Sequence, residues 1–276
     1  MNYLQAIRRN WHPLWTLRKS SAFRFLQDKY DFTTFISVPG IRNKLAIKFL
    51  RDLSWIVTPT AVEPEIRQAF DLILTLTKPA IFWDIGANVG IYSWLVRQYP
   101  SVKNVVLFEP DPVNCSLIKK TLQRSKIQHC ELLNVAVADK VGQSHFVVDS
   151  VSGATGSLED TFAGDNPSSL HSHYAMGSTI ITCDTVTVDH CTNGRPLPDF
   201  LKIDVEGAEH LVIAGAMNYI TAYKPTIVME SNNLDLVNSM RSLGYTIFRI
   251  DSGNFLFVKN DLGAAIRQLD THMVRH

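Results

Sequence analysis

The sequence predicts an α/β fold: a doubly wound, mostly parallel sheet with helices on both faces and an antiparallel hairpin at its C-terminal end. Three observations carry this. From Lys78 onward, short apolar runs alternate with segments of helical period. Most of those runs lack the in–out alternation of a half-solvated sheet, so they read as strands covered on both faces, the condition of a parallel sheet. The last two runs, Tyr245–Ile250 and Asn254–Lys259, flank the turn residues Asp251, Ser252 and Gly253, as a hairpin requires.

The elements follow in order. Residues 63–77 read as a helix with an acidic start and a proline in its first turn. "AIFWD" (80–84) is a strand, then a helix runs from about Val89 to Tyr99. "NVVLFE" (104–109) is the second strand, with a helix over Pro112–Arg124. "CELLNVAV" (130–137) is the third strand and "FLKID" (200–204) the fourth, followed by a helix over Ala208–Tyr219. "PTIVME" (225–230) is the fifth, and its helix stops at Gly244. Gln143–Val148 and Thr179–Val188 break the alternation as extra antiparallel strands. Between them an irregular stretch at about 150–178, rich in Ser, Gly, Asp and His, has the make-up of an inserted lid.

Residues 1–60 form a basic, mainly helical N-terminal extension, and 61–276 the main domain. The chain has 276 residues, 46% hydrophobic and 19% charged, which suits a globular core. Its charge is uneven. The first 50 residues hold nine Lys/Arg against two acids, a surplus of +7, which leaves −6 for the rest of a chain whose formal total is +1. A basic head on an acidic body reads either as a contact with an anionic partner or membrane face, or as a solvated face docked on the acidic domain. Trp11, Trp15 and Phe23 beside arginines match an interfacial helix. No apolar stretch reaches the roughly 18 residues of a membrane span. Arg8, Arg9 and His12 interrupt any leader-like run, so the expected location is cytoplasmic, with peripheral contact at the inner membrane face. The cysteines (115, 130, 183, 191) show neither C-x-x-C nor zinc spacing and read as buried thiols.

The chemistry concentrates in "FWDIGANVGIYS" (82–93). A strand ending at Asp84 delivers Gly86 and Gly90 to the carboxyl edge of the sheet, where ligands of open α/β folds bind. Dinucleotide sites use G-x-G-x-x-G around a pyrophosphate. Here the spacing is G-x-x-x-G, with Asn88 at the middle position and Asp84 just before the turn. That acid would repel a pyrophosphate and suits a cationic ligand. Glu109 ends the second strand 25 residues on, placed to accept ribose hydroxyls. An acid, a glycine turn and a ribose-binding acid together describe an S-adenosyl-L-methionine site. Each acid alone is equally a cap at a strand–helix turn. An NAD-type oxidoreductase and a non-catalytic S-adenosylmethionine-binding module are the alternatives.

The second dense stretch is "DFLKIDVEGAEHLVIAGA" (199–216), whose strand edge carries Asp204, Glu206 and Glu209. With "DIGANVG", "LFEPDP", "NVAVAD" and "KPTIVME", in order along roughly Ala80–Lys259, it resembles the FkbM-type S-adenosylmethionine-dependent methyltransferases. The resemblance implies a class I, Rossmann-like methyltransferase sheet and O-methylation of a hydroxyl on a sugar, glycan, glycolipid or natural product. Carried over by position, it implies cofactor contacts at Asp84, Gly86, Asn88, Gly90 and Glu109, adenine near Asn134–Ala136, and Asp204 at the methyl-donor end. Asn134 reads equally as a strand-end turn residue.

A hydroxyl acceptor needs a base, or a metal that lowers its pKa. The candidates are Lys202, Asp204, Glu206 and Glu209 on the strand edge, with Glu230 ending the next strand, and His171 and His173 in the inserted stretch. Asp204 with Glu206 is also the one pair read as ligands of a divalent cation. No base-flipping N/D-P-P-Y/F motif follows the fourth strand, so no nucleic-acid partner is expected.

Overall fold

The computed structural model describes residues 20–53, 56, 64–148, 156–158, 179–269 and 274–275. The strands, in chain order, begin with β1 (Thr33–Ile36), β2 (Leu45–Lys48), β3 (Ile81–Ile85), β4 (Asn104–Phe108) and β5 (Cys130–Leu133). Then come β6 (Ala136–Val137), β7 (Gly142–Val148), β8 (Ser157–Leu158), β9 (Thr179–Val186) and β10 (Phe200–Ile203). The last four are β11 (Thr226–Glu230), β12 (Tyr245–Arg249), β13 (Asn254–Lys259) and β14 (Val274–Arg275).

The central sheet has the order β14-β12-β13-β11-β10-β3-β4-β5. Strands β5, β4, β3, β10 and β11 are mutually parallel. The chain winds outward from β3 in one direction and from β10 in the other, so the switch point lies between these two strands, where their carboxyl ends open a crevice. This is the doubly wound, mostly parallel sheet that the sequence predicts. The C-terminal hairpin is not a simple antiparallel edge: β13 inserts between β11 and β12, antiparallel to both. The reason is burial, since Asn254–Val258 are all buried and need a neighbour on each side.

Period-2 geometry sends Phe82 and Phe200 to one face and Trp83 and Leu201 to the other. On the first face the helix Pro64–Thr77 places Phe70 with its ring centroid 4.9 Å from Phe200 and 6.0 Å from Phe82. Burying such a ring contributes about 1.5–3 kcal/mol, so Phe200→Ala is the single change that would open this core. The second face is covered by Val212, Ile213 and Ile220. The helix expected over 208–219 is two pieces, Glu209–Ala214 and Met217–Tyr223. They part at Gly215, where an added Cβ would lie 2.1 Å from the Ala138 carbonyl oxygen.

Two further differences matter for the site. The run 130–137 divides: β5 stays in the central sheet, while β6 pairs with β9 in a small sheet of order β6-β9-β7-β8. There β7 and β9 are antiparallel, as expected. Of the stretch 150–178, residues 156–158 are described, with β8 against β7; His171 and His173 lie outside the described residues. The described part of the extension is not mainly helical. It holds the helix Ser21–Tyr30, capped by Ser20, the antiparallel hairpin β1–β2, and further helical positions at Leu53 and Ile56. Thr33, Thr34, Phe35 and Ile36 favour a pleated surface. Leu45, Ala46 and Ile47 are fully buried against the helix Pro112–Ser125, where the Ala46 amide donates to Thr121 Oγ1 at 2.9 Å.

Candidate functional site

The site grows from the end of β3. Asp84 is fully buried, and its Oδ2 accepts from the Ser93 amide at 3.2 Å and the Ser93 hydroxyl at 2.7 Å. It therefore ties β3 to a free amide in the first turn of the helix Ile91–Val96. Its Oδ1 has no hydrogen-bond partner. Burial pushes this carboxyl above the ordinary carboxylate range, opposed by the charge of Lys202.

Gly86 and Gly90 both take left-handed backbone, φ +78° and +82°. At Gly86 a Cβ would sit 1.8 Å from the Asp204 carbonyl oxygen, so the turn is pressed onto the end of β10. Asn88 is also left-handed, φ +53°, a conformation that asparagine tolerates. Its amide donates to Glu109 Oε2 at 2.7 Å.

Glu109 is buried and held from both sides. Its other oxygen accepts from the Asp111 amide at 2.9 Å and Asn114 Nδ2 at 3.4 Å. Burial, with the Asp111 charge nearby, lifts the carboxyl to about 8 against the pull of these donors. Asn134 turns its amide to the Glu109 and Pro110 carbonyl oxygens, at 2.9 and 3.0 Å. It pins the end of β4, and Ala136, two residues on, lines the cleft.

Across the cleft, Lys202 is buried and donates to Asp204 Oδ2 at 2.7 Å, with its ammonium 4.7 Å from the Tyr92 ring centroid. Burial works against the Lys202 charge, but Asp204 and Asp84 outweigh it and raise its pKa. Glu206 stands at the rim in left-handed backbone, φ +52°. The residue is exposed and lines the cleft. Desolvation there, with Asp204, Glu230 and Glu209 adding like charge, lifts its carboxyl to about 8. Glu209 is buried, accepts from the Gly207 amide at 2.8 Å, and is raised by burial.

These groups border one cleft of about 680 Å3, counting its solvent-open space. Gly86, Asn88, Glu109, Asp204 and Glu206 line it. Asp84, Gly90 and Lys202 sit behind its wall. The opposite wall is apolar: Val135 and Val137 from the third-strand run, and Phe146, Val148 and Leu158 from the small sheet. Sequence reasoning missed this apolar wall and also missed Asp111 and Asn114. The first two residues of "DPVN", 111–112, carry the usual signature of a helix cap, and Asp111 Oδ1 does accept from the Val113 amide at 2.7 Å. No local signal marks Phe146 or Leu158. Nor are Asp204 and Glu206 arranged as cation ligands. Asp204 Oδ2 is taken by Lys202, and no group of three or more His, Cys, Asp or Glu among the described residues is placed to hold a metal ion.

The model of the Methyltransferase FkbM domain matches residues 84–247. No curated protein matches the chain. Among solved structures, FkbM methyltransferase from Methylobacillus flagellatus KT aligns at 18% identity and TM-score 0.46, covering 65% of this chain and 44% of that one. A methyltransferase from Geobacter sulfurreducens aligns at 15% identity and TM-score 0.44, covering 75% and 85%. An rRNA methylase from Streptococcus thermophilus aligns at 11% identity and TM-score 0.39, covering 72% and 96%.

Proposed function

The chain belongs to the FkbM methyltransferase family, and from that premise we propose that it O-methylates a hydroxyl of a carbohydrate or glycoconjugate with S-adenosyl-L-methionine as donor. The observation that carries the cofactor reading is Glu109. It is a buried carboxylate at the carboxyl end of β4, steered by the Asn88 and Asp111 amides into a half-apolar cleft. Such a group suits a ribose diol, and Val135, Val137 and Phe146 suit the faces of a purine. Asn88 and Gly86 would hold the amino-acid end, with Asp204 and Glu206 nearest the acceptor. When bound, the cofactor supplies an activated methyl group with a good leaving group. The protein's own work is to position the acceptor and remove its proton.

For that proton, Glu206 is the better placed of the two acids. Asp204 is engaged by Lys202, whereas Glu206 is open to the rim and already biased toward holding a proton near neutrality. Lys202 orients Asp204 through its 2.7 Å hydrogen bond. The test is calorimetric titration of the full chain with S-adenosylhomocysteine and with NAD, then a labelled-methyl transfer screen on extracted glycans, lipids and RNA. Binding of the homocysteine compound and label in the glycan or glycolipid fraction is the expected result. NAD binding alone, or label confined to RNA, overturns it.

The basic N-terminus supports peripheral contact with an anionic membrane face. No described helix is long and apolar enough to cross a membrane. A chain starting at Ser20 removes Arg8, Arg9, Arg18 and Lys19. It should sediment less with anionic liposomes than the full chain; equal sedimentation counts against the contact.

A further inference from the structure

We propose that Arg51 is a positioning residue for cofactor binding: from the end of the N-terminal hairpin it sets the orientation of Asp111 and Asn114, and through them presents the Glu109 carboxylate to the cleft. The inference rests on the reading of that cleft as the S-adenosylmethionine site.

Arg51 lies three residues beyond β2, is 4% exposed, and is 60 residues away in sequence from Asp111. Among the described residues its guanidinium donates to Asp52 Oδ1 at 2.9 Å, Asp111 Oδ2 at 3.3 Å and Asn114 Oδ1 at 2.5 Å. Its own backbone is fixed as well. Asp31 accepts from the Leu50 amide at 2.7 Å and the Arg51 amide at 3.1 Å, and Asp52 accepts from the Lys48 amide at 2.7 Å. A planar fork with several donors bridges such acceptors in one geometry, which a lysine ammonium does not reproduce.

Two consequences reach Glu109. The first is the direction of the Asn114 amide. With Oδ1 committed to the guanidinium, Nδ2 faces Glu109 Oε1 at 3.4 Å. Without Arg51 the amide can rotate and present its oxygen to a carboxylate instead. The second is charge. Arg51 compensates Asp111, whose negative charge otherwise falls on Glu109. The other groups around Glu109 are Asp52 beyond the guanidinium, Asp204 and Glu206 across the cleft, and the Cys115 thiol. That thiol donates to the Glu109 carbonyl oxygen at 3.1 Å and is pushed up to about 12 by burial, so it stays neutral.

A ribose diol donates to the ionised carboxylate, so affinity should fall as pH drops through the Glu109 midpoint, near 8 in the ligand-free protein. Uncompensated Asp111 moves that midpoint up. The experiment is calorimetry of the full-length chain with S-adenosylhomocysteine at a series of pH values spanning that midpoint, with melting temperatures recorded alongside. Arg51→Met should raise the midpoint by about one pH unit and weaken binding below it by about tenfold. Adding Asp111→Asn, which retains a capping side chain, should bring the midpoint back. Weaker binding with a lower melting temperature but an unmoved midpoint means a merely structural residue and overturns the proposal. So does a midpoint left high in the double variant, or an Arg51→Met chain that binds like the wild type. If Arg51→Met does not fold, Asn114→Ala decides instead: weakened binding supports the proposal and wild-type binding overturns it. A wild-type chain that binds no S-adenosylhomocysteine at any pH is a separate outcome. It removes the cofactor reading, and the inference falls with it.

Discussion

Asp84 and Lys202 are register partners on the adjacent parallel strands β3 and β10, and both are buried. Their side chains carry opposite charge at the floor of the site, and Lys202 also holds Asp204 at 2.7 Å. One cation thus serves two acids at the topological switch point.

Removing that cation leaves Asp84 buried without compensation. Lys202→Met is expected to cost about 3 kcal/mol at neutral pH, read by urea denaturation. Asp84 already has a raised pKa, so protonation relieves the defect. The deficit should therefore shrink as pH falls. A deficit that is the same at acid and alkaline pH would argue against this pairing.

The two glycine turns separate steric demand from conformational demand. Gly86→Ala drives a Cβ to 1.8 Å from the Asp204 carbonyl oxygen in left-handed backbone and should cost more than about 3 kcal/mol. Gly207→Ala has φ +101° but no heavy atom within 4 Å of the new Cβ, so strain alone should cost about 1–2 kcal/mol. Equal loss of stability in the two variants, measured by thermal melting, would contradict the close approach of the first turn to β10.

Glu109 makes stability depend on pH. Its folded value is about 8 against an ordinary 4.5, so the folded chain binds a proton there more tightly than the unfolded chain does. Its stabilising contribution is complete below 4.5 and is lost as pH rises toward 8. The slope approaches about 1.4 kcal/mol per pH unit within that window. Glu109→Gln should flatten the slope in ligand-free protein and abolish S-adenosylhomocysteine binding. An unchanged slope in urea titrations would be the failing result.

Glu206 combines left-handed backbone with three acidic neighbours, the kind of strain that collects at working sites. Glu206→Gly should stabilise the fold by about 0.5–1 kcal/mol while lowering methyl transfer. If its carboxylate is the base, the wild-type rate rises with pH as the group ionises through about 8, and Glu206→Gln loses that limb. A retained limb in the glutamine variant would move the role to Asp204.

Much of the fold and half of the site could be read from local sequence. "IFWDIGANVG" is strand, turn and helix because its apolar run, its glycines and Asn88 each obey a short-range rule. Glu109 followed from the same spacing argument one strand later. "KIDVEGAE" placed Asp204 and Glu206 on the next edge for the same reason. The exceptions were residues whose neighbours are distant in the chain. The division of 130–137 between two sheets depends on β9, and the insertion of β13 depends on β11 and β12 pairing both of its edges.

The sequence by itself determined which strands end in acids and where the backbone must turn, because sterics and hydrophobic period act over a few residues. Only the tertiary structure decided that Asp84 lies behind the cleft wall while Glu109 and Glu206 face it. It also decided that an arginine from the N-terminal hairpin supports the acid on β4. Burial raises or opposes charge through whatever atoms pack nearby, and those atoms come from positions as far apart as Arg51 and Asn114.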